Sequence, residues 1–299
     1  MKKLKFVLLV VENNDYQAEQ TVAAKQAAFE CEAELQVIQT GHDAVSQSQE
    51  VLNLLYKPPG ARPNGIMFEP VGTPLAQAAK IAATAGVGWV VLNREVDYIH
   101  ELRVHGTTPC FSITTDHGEV GRIQGEQIGR LLPNGGSVLY IQGPSDNKAA
   151  MRRGEAMQST KPANVEVRVL KGLWTEESAY HAVASWLKLN VSKESGYGVV
   201  GAQNDAMALG ARRAFEELTS GTDRDRWLSL PFLGCDGLPK TGKAYVQRGI
   251  LAATVVIPAN AGQAIKELMK ALTTGQQPHE CIFTSPSSYP AIAALKPAQ

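Results

Sequence analysis

Short apolar runs rich in valine, isoleucine and leucine alternate along this chain with longer stretches that have the period of an α-helix. In the first third the runs are Lys5–Val11, Leu35–Gln39, Gly65–Phe68 and Gly88–Leu92, and the helical stretches are Gln17–Cys31, Ala44–Leu55 and Pro74–Ala85. Strands that are apolar throughout are buried on both faces, and helices that cross over between them supply the cover. The alternation therefore predicts an α/β fold built on a parallel sheet.

The same alternation restarts after Thr114. Its predicted helices are Gly118–Leu132, Asn147–Ser159, Glu176–Asn190 and Asp205–Thr219, and its predicted strands are Ser137–Ile141, Val165–Leu170, Gly198–Gly201 and Pro231–Gly234. The chain is thus predicted to hold two arrays in series, of about 115 and about 140 residues. We take Asp97–Thr115 as the first crossing between them. No low-complexity linker separates the arrays, so we expect adjacent domains that hinge around a cleft.

The charge balance excludes a partner held mainly by electrostatics. Lysine plus arginine and aspartate plus glutamate number 29 each, so the formal net charge is zero. Such a chain has no basic excess for nucleic acid or an anionic membrane. The apolar run Phe6–Val11 is too short for a signal peptide, and no run approaches the ~20 residues that span a bilayer. We expect a small or uncharged partner and no direct membrane insertion.

Metal and catalytic signatures are missing from the sequence. The cysteines occur singly, at positions 31, 110, 235 and 281, without a spacing that assembles a local metal site. His100 and His105 are five residues apart, whereas the zinc-protease motif needs four. Neither a Gly-x-Ser-x-Gly elbow nor a recognisable triad is present. We therefore predict no cofactor, no metal and no enzymatic activity.

The string from Gly237 to Lys243 matches most of a phosphate-binding loop, because it reads Gly-x-x-x-x-Gly-Lys. The final serine or threonine that would bind magnesium is replaced by Ala244. Pro239 also removes a backbone N–H from a loop that works by presenting N–H groups to phosphate. We interpret the match as coincidental, with a solvated Lys243 and with Asp236 as the functional residue of the stretch.

In open parallel sheets, ligands bind at the carboxyl ends of the strands. Polar and aromatic side chains follow the predicted strands at that edge: Glu12, Asn13, Asn14, Asp15, Tyr16, Asn93, Arg94, Glu95, Arg152, Arg153, Trp174, Gln203, Asn204, Asp205 and Asp236. Carboxylates and amides accept hydrogen bonds from hydroxyls, guanidinium groups bind adjacent oxygens, and aromatic rings cover the C–H face of a sugar. Together these side chains favour a polyhydroxylated ligand.

Each of these residues also has a purely structural interpretation. Asparagine, aspartate and glycine after strands commonly cap helices or form turns. Tyr16 and Trp174 fit a buried core equally well. Trp174 lies between Gly172 and a predicted helix start, which favours a position beside the ligand.

Three strings resemble one family, the ribose-binding type of periplasmic sugar-binding proteins, whose fold is shared by the ligand-sensing domain of lactose-repressor-type regulators. They are the segments 202–210 (AQNDAMALG), 234–237 (GCDG) and 251–255 (LAATV), and segments 152–155 and 115–118 are in register with them. The resemblance covers essentially the whole chain. It implies two flavodoxin-like lobes joined by a three-crossing hinge, with the ligand cleft between them. The implied lobes are 1–114 plus 258–284 and 115–257 plus 285–299.

The resemblance also implies a set of ligand contacts. The residues that fall on contact positions are Asn14, Tyr16, Asn93, Arg94, Arg153, Trp174, Asn204 and Asp236. Asn93 departs from the family's usual aspartate by losing a charge. Gln17 stands where ribose binders carry a second aromatic residue, and Ile257 stands where many members carry a glutamine. A hexose, a pentose, a polyol and another polar metabolite all remain open as ligands.

We expect reversible binding by hinge closure, as the receptor of an ABC-type sugar transporter. A membrane permease or a sensor kinase would read the closed state of the monomer. The alternative is a stand-alone cytoplasmic sensor or regulator without a DNA-binding segment. The resemblance implies a periplasmic location if the chain is a mature form. A cytoplasmic location follows if Met1 is the native start, since no signal peptide is visible.

Overall fold

The structure is a computed structural model, and it describes residues 3–11, 14–72, 75–104, 106–189 and 196–298. Within these ranges the strands are β1 Lys5–Val10, β2 Glu34–Gln39, β3 Gly65–Phe68, β4 Gly88–Leu92, β5 Cys110–Thr115, β6 Gly136–Gln142, β7 Val165–Lys171, β8 Tyr197–Ala202, β9 Phe232–Asp236, β10 Ala253–Val256, β11 Cys281–Thr284 and β12 Ser287–Tyr289. The helices there are α1 Asp15–Glu30, α2 Ala44–Leu55, α3 Ala76–Thr84, α4 Ile99–Val104, α5 His117–Leu131, α6 Lys148–Thr160, α7 Glu176–Leu187, α8 Asp205–Leu218, α9 Gly221–Ser229, α10 Gly242–Gln247 and α11 Asn260–Thr274.

The chain divides into two compact units. The first unit comprises Met1–Thr115 and Pro258–Thr284, and the second comprises Asp116–Ile257 and Ser285–Gln299. The chain therefore passes from one unit to the other three times.

The first unit is built on a parallel sheet with the strand order β11-β5-β4-β3-β1-β2. Successive side chains of a strand point to opposite faces, and β1 shows this directly. Val7 and Leu9 pack into a core beneath α2 and α3, whereas Phe6 and Leu8 pack into a second core with α1 and α11. Because both faces are covered, the central strands β3 and β4 are apolar along their whole length.

The second unit repeats this design, with the order β12-β10-β9-β8-β6-β7. Its strands are parallel except for β12, which runs antiparallel to β10. Leu139 and Ile141 of β6 face a core with α7 and α8, and Val138 and Tyr140 face the other core. The predicted fold class of two parallel-sheet α/β units is confirmed. The predicted strands and helices up to β9 are present within a few residues of their predicted bounds, apart from Pro74 and Asn190, which lie outside the described residues.

One segment differs from its prediction. The segment Asp97–Thr115, taken as the first crossing, holds α4 and the buried strand β5 of the first unit, and the crossing follows Thr115. His100 lies on α4, where its Nδ1 is 2.9 Å from Glu280 Oε1, while His105 is outside the described residues. Strand β5 was missed because it contains the buried polar residues Ser112, Thr114 and Thr115. The Ser112 hydroxyl donates to the Glu280 carbonyl at 3.3 Å, and Thr115 Oγ1 lies 3.4 Å from Thr284 Oγ1.

The described helices contain no segment long and apolar enough to cross a membrane. Among the same residues, no group of three or more histidine, cysteine, aspartate or glutamate side chains is arranged to hold a metal ion.

Candidate functional site

Asp236 ends β9 in an unusual conformation. Its φ angle is +100°, a region that residues other than glycine rarely adopt. The side chain is half-buried, and its carboxylate makes no hydrogen bond or ion pair with any other residue in the described part of the chain. Burial raises the pKa of this carboxyl, and the charge of Arg153 opposes the rise. A strained backbone that presents an unpartnered carboxylate is typical of a functional position.

Arg153 of α6 lies beside this strand end and is 6% exposed. Its NH1 donates to the carbonyl of Gln203 at 2.7 Å and approaches Cys235 Sγ at 3.6 Å. Its Nε donates to His117 Nδ1 at 3.4 Å. Burial and then the Arg153 charge lower the pKa of His117 to about 3, so the imidazole is neutral and can accept this bond. The guanidinium is thus held in one orientation.

Trp174 follows β7 and has a φ angle of +66°. Its half-buried ring lies 5.5 Å from the Arg153 guanidinium, which is a cation–π distance. The ring also packs on Gly143, where an added Cβ would lie 2.8 Å from Trp174 Cε2. Gly143 therefore has to be a glycine for the ring to lie there. Trp174 also packs against the edge of the core formed with α7 and α8, so both interpretations hold in part.

Asn204 and Asn14 act as helix caps. Asn204 Oδ1 accepts from the Met207 N–H at 2.8 Å, and its Nδ2 donates to the Trp174 carbonyl at 2.8 Å. Asn14 Oδ1 accepts from the Gln17 N–H at 2.9 Å. The capping interpretation is therefore confirmed for both residues. Asn204 additionally fixes the strained backbone that carries the Trp174 ring.

Asp205 is almost fully buried at the first position of α8. Its Oδ2 accepts from the Gly237 N–H at 2.9 Å and its Oδ1 from the Thr254 hydroxyl at 2.7 Å. A Cβ added at Gly242 would lie 2.8 Å from Asp205 Cγ and overlap Oδ2. The glycines of the apparent phosphate-binding loop therefore surround a carboxylate of the protein itself. Lys243, expected to be solvated, is half-buried with its Nζ 5.7 Å from the Tyr289 ring centroid. We call Arg153, Trp174, Asn204, Asp205 and Asp236 the Asp236 cluster.

The first unit carries a second polar group at the strand ends, made of Tyr16, Gln17, Glu69, Asn93 and Asn260, which we call the Asn93 cluster. Asn93 has a φ angle of +59°, and its Oδ1 accepts from the Tyr16 hydroxyl at 3.0 Å and from Asn260 Nδ2 at 2.7 Å. Asn93 Nδ2 donates to Glu69 Oε2 at 2.9 Å. Both lone pairs of the Asn93 oxygen are thus used within the protein.

The departure at Gln17 has a structural explanation. Gln17 is 7% exposed, and its Nε2 donates to Glu69 Oε2 at 2.9 Å, the same oxygen that Asn93 contacts. An aromatic residue there would leave Glu69 without this donor. Glu69 and Asn260 were missed in the sequence. Glu69 could have been found, because it directly follows β3 and so lies at the carboxyl end of a parallel strand, where ligands bind. Asn260 gave no such signal, because it follows a crossing rather than a recognised strand.

Arg94 is exposed, and its NH1 donates to the Gly72 carbonyl at 3.0 Å. Its guanidinium group therefore lies at the surface of the first unit. Glu12 and Asn13 lie outside the described residues. The structure thus brings Tyr16 and Asn93 together in one unit and Arg153, Trp174, Asn204 and Asp236 together in the other.

Comparisons with known proteins agree with this architecture. The family described as "Periplasmic binding protein domain" matches residues 6–277. The ribose import binding protein RbsB of Escherichia coli (strain K12) is 30% identical over 181 residues, which is 60% of this chain and 55% of that protein. The D-galactose/methyl-galactoside binding periplasmic protein MglB of Haemophilus influenzae is 27% identical over 186 residues, which is 57% of this chain and 53% of that protein. The chain therefore spans about half the length of these curated relatives.

Solved structures show the same fold. A periplasmic solute binding protein of an ABC transporter from Actinobacillus succinogenes 130z, with bound D-allose, superimposes with a TM-score of 0.80 at 18% identity and covers 96% of this chain and 97% of its own. An ABC transporter solute binding protein from Bacillus halodurans C-125, with bound myo-inositol, gives a TM-score of 0.76 at 20% identity, with 96% and 94% covered. By the match of its sequence over residues 6–277, this chain belongs to the family of periplasmic binding protein domains.

Proposed function

We propose that this chain is a solute-binding receptor that reversibly binds a small polyhydroxylated ligand, a monosaccharide or polyol. The observation that carries the proposal is the Asp236 carboxylate, which is half-buried at a strand end and has no hydrogen-bond partner among the described residues. Burying a carboxylate without hydrogen-bond partners is energetically costly, so Asp236 is well suited to accept hydrogen bonds from ligand hydroxyls. Arg153 and the Trp174 ring beside it would bind the oxygens and the C–H face of a sugar.

The eight predicted residues divide into two roles in this proposal. Ligand contact is proposed for the side chains that carry a charged group or an aromatic ring: Tyr16, Arg94, Arg153, Trp174 and Asp236. A positioning role is proposed for the three asparagines, because their amide oxygens are used within the protein: Asn14, Asn93 and Asn204. This division follows from the hydrogen bonds and modifies the expectation that all eight touch the ligand.

The relatives support delivery to a transporter. RbsB is named for ribose import, and the structures with D-allose and myo-inositol are of ABC transporter solute binding proteins. A membrane permease as partner and a periplasmic location are accordingly part of the proposal. Closure of a hinge over the ligand stays a prediction from the family.

A thermal-shift screen tests the proposal. The purified chain is melted with D-ribose, D-allose, D-galactose and myo-inositol, each over a concentration series, and with L-leucine as a control of similar size. A ligand at one hundred times its Kd is expected to stabilise the native state by ~2.7 kcal/mol. The stabilising compound, recovered after incubation, is expected to be chemically unchanged. A melting temperature that is the same with every sugar and polyol would contradict binding of this class, and a converted product would contradict a receptor.

A further inference from the structure

Asp205 is a buried carboxylate without a cation. It is 4% exposed, and no lysine, arginine or histidine nitrogen within the described ranges lies within 4.0 Å of it. Its hydrogen bonds come from a peptide N–H and from a hydroxyl, the donors on Gly237 and Thr254. Two neutral donors and the start of α8 favour the ionised form, but complete burial of an uncompensated charge opposes it.

Glycine backbone approaches this carboxylate closely. A Cβ added at Gly234 would lie 3.2 Å from Asp205 Cγ and overlap Oδ1, and a Cβ at Gly242 would overlap Oδ2. Gly237, which has a φ angle of +60°, packs against Val256. Gly234 and Gly242 therefore lie directly against the two oxygens of the carboxylate.

The second carboxylate of this strand end belongs to Asp236. Asp205 Oδ2 accepts from the N–H of Gly237, which is the peptide directly after Asp236. The charged and titratable groups facing the pair from the neighbouring elements are few. Arg153 comes from α6, the neutral His117 from α5, Cys235 from β9, and Lys243 from α10, where its Nζ lies over the Tyr289 ring. Arg153 is thus the cation beside Asp236, and its charge opposes the rise in the pKa of that carboxyl.

We propose that Asp205 is the positioning residue of the Asp236 carboxylate: it holds the strained Asp236–Gly237 turn and shares one proton with Asp236 in the ligand-free protein. Like charges in a common site disfavour double ionisation. Burial and then the Asp236 charge raise the pKa of Asp205, and burial raises that of Asp236. With one proton shared, the pair carries a single negative charge, opposite in sign to the Arg153 charge beside Asp236.

The proton matters for ligand binding if Asp236 contacts the ligand, and this clause rests on the proposed function. A ligand hydroxyl donates best to the ionised Asp236 carboxylate. Binding would then place the proton on Asp205 or release it to solvent. The sharing itself is a property of the ligand-free protein and can be measured without any ligand.

The test is a carboxyl titration by nuclear magnetic resonance. The chain has nine aspartates, so selective ¹³Cγ-aspartate labelling gives a small set of signals to follow from pH 4 to pH 9. In the native protein, two signals are expected to titrate well above the other seven. Asp205→Asn should remove one of them and shift the titration of the Asp236 signal to lower pH. Asp236→Asn should remove the other and shift the titration of the Asp205 signal to lower pH. Asp225→Asn, at an exposed position of α9, should leave both unchanged.

The Asp205→Asn variant is expected to fold. Its amide oxygen can accept from the Gly237 N–H, and its NH₂ can donate to the Thr254 hydroxyl, which rotates to accept. A second readout is the melting temperature. Because the native pair holds a proton that the unfolded chain loses above about pH 4, stability falls as pH rises, and the fall should be smaller in Asp205→Asn than in Asp225→Asn.

Nine aspartate signals that all titrate in the ordinary range below about pH 5 would overturn the proposal. So would two high titrations that both persist, unshifted, in Asp205→Asn. A thermal-shift screen in which no sugar or polyol stabilises the chain would contradict the proposed function but would not change these titrations. The two proposals can therefore be refuted independently.

Discussion

Replacement of Asp236 by asparagine is expected to weaken ligand binding about 10- to 150-fold. The change removes one charge-assisted hydrogen bond, which contributes ~1.5–3 kcal/mol, and each ~1.4 kcal/mol is a factor of ten in Kd. Asparagine is the informative substitution because it tolerates the positive φ angle of this position better than alanine does. The measurement is isothermal titration calorimetry with the sugar that gives the largest shift in the thermal screen.

The matched control is Asp225→Asn, which makes the same chemical change at an exposed position in the same unit. We expect its Kd to equal that of the native chain. If the Kd of Asp236→Asn is also within twofold of the native value, Asp236 does not contact the ligand. The proposed function then loses the observation on which it rests.

Replacement of Gly210 by alanine is expected to destabilise the second unit by about 2 kcal/mol, which for a unit of this size lowers the melting temperature by about 4–8 °C. Gly210 lies inside α8, where an added Cβ would overlap the carbonyl oxygen of Glu176 and lie 2.8 Å from its carbonyl carbon. The obstacle is backbone at the start of α7, so relief requires the two helices to separate. The gain in helix propensity, up to ~1 kcal/mol, offsets part of the cost.

Gly154→Ala is the control for helix propensity. The nearest atoms to a Cβ at Gly154 of α6 belong to the flexible side chain of Gln142, at 3.1 Å and beyond. This variant is expected to melt at the native temperature or slightly above it. Equal melting temperatures for the two alanine variants, by calorimetry or circular dichroism, would show that α7 and α8 do not pack as closely as the structure indicates.

The fold could be predicted from the sequence wherever a strand is apolar throughout. Strands β3 and β4 are buried along their whole length, and their predicted bounds are those of the structure. Strand β5 has the same burial but contains hydroxyl side chains whose partners come from Glu280 and Thr284, about 170 residues away. No local pattern can signal a partner that distant, so the segment was taken for a crossing.

The candidate site was predictable as a position rather than as a set of contacts. Because Arg153, Trp174 and Asp236 follow predicted strands, they were expected at one edge of one sheet, and they do form a cluster there. A position after a strand does not distinguish a side chain that contacts a ligand from one that hydrogen-bonds to the loop. The amide oxygens of Asn204 and Asn93 accept hydrogen bonds within the protein. Whether a residue contacts the ligand or positions its neighbours therefore depends on side-chain geometry.

The placement of Trp174 supplies the chain with its own optical reporter. Of its four tryptophans, Trp89, Trp186 and Trp227 are at most 4% exposed, whereas Trp174 is partly exposed. Red-edge emission and iodide quenching should therefore arise almost entirely from this one indole. Ligand binding at the Asp236 cluster, as proposed above, should therefore be measurable in unlabelled protein as a blue shift or a loss of quenching, at micromolar concentrations and on the millisecond scale of stopped flow.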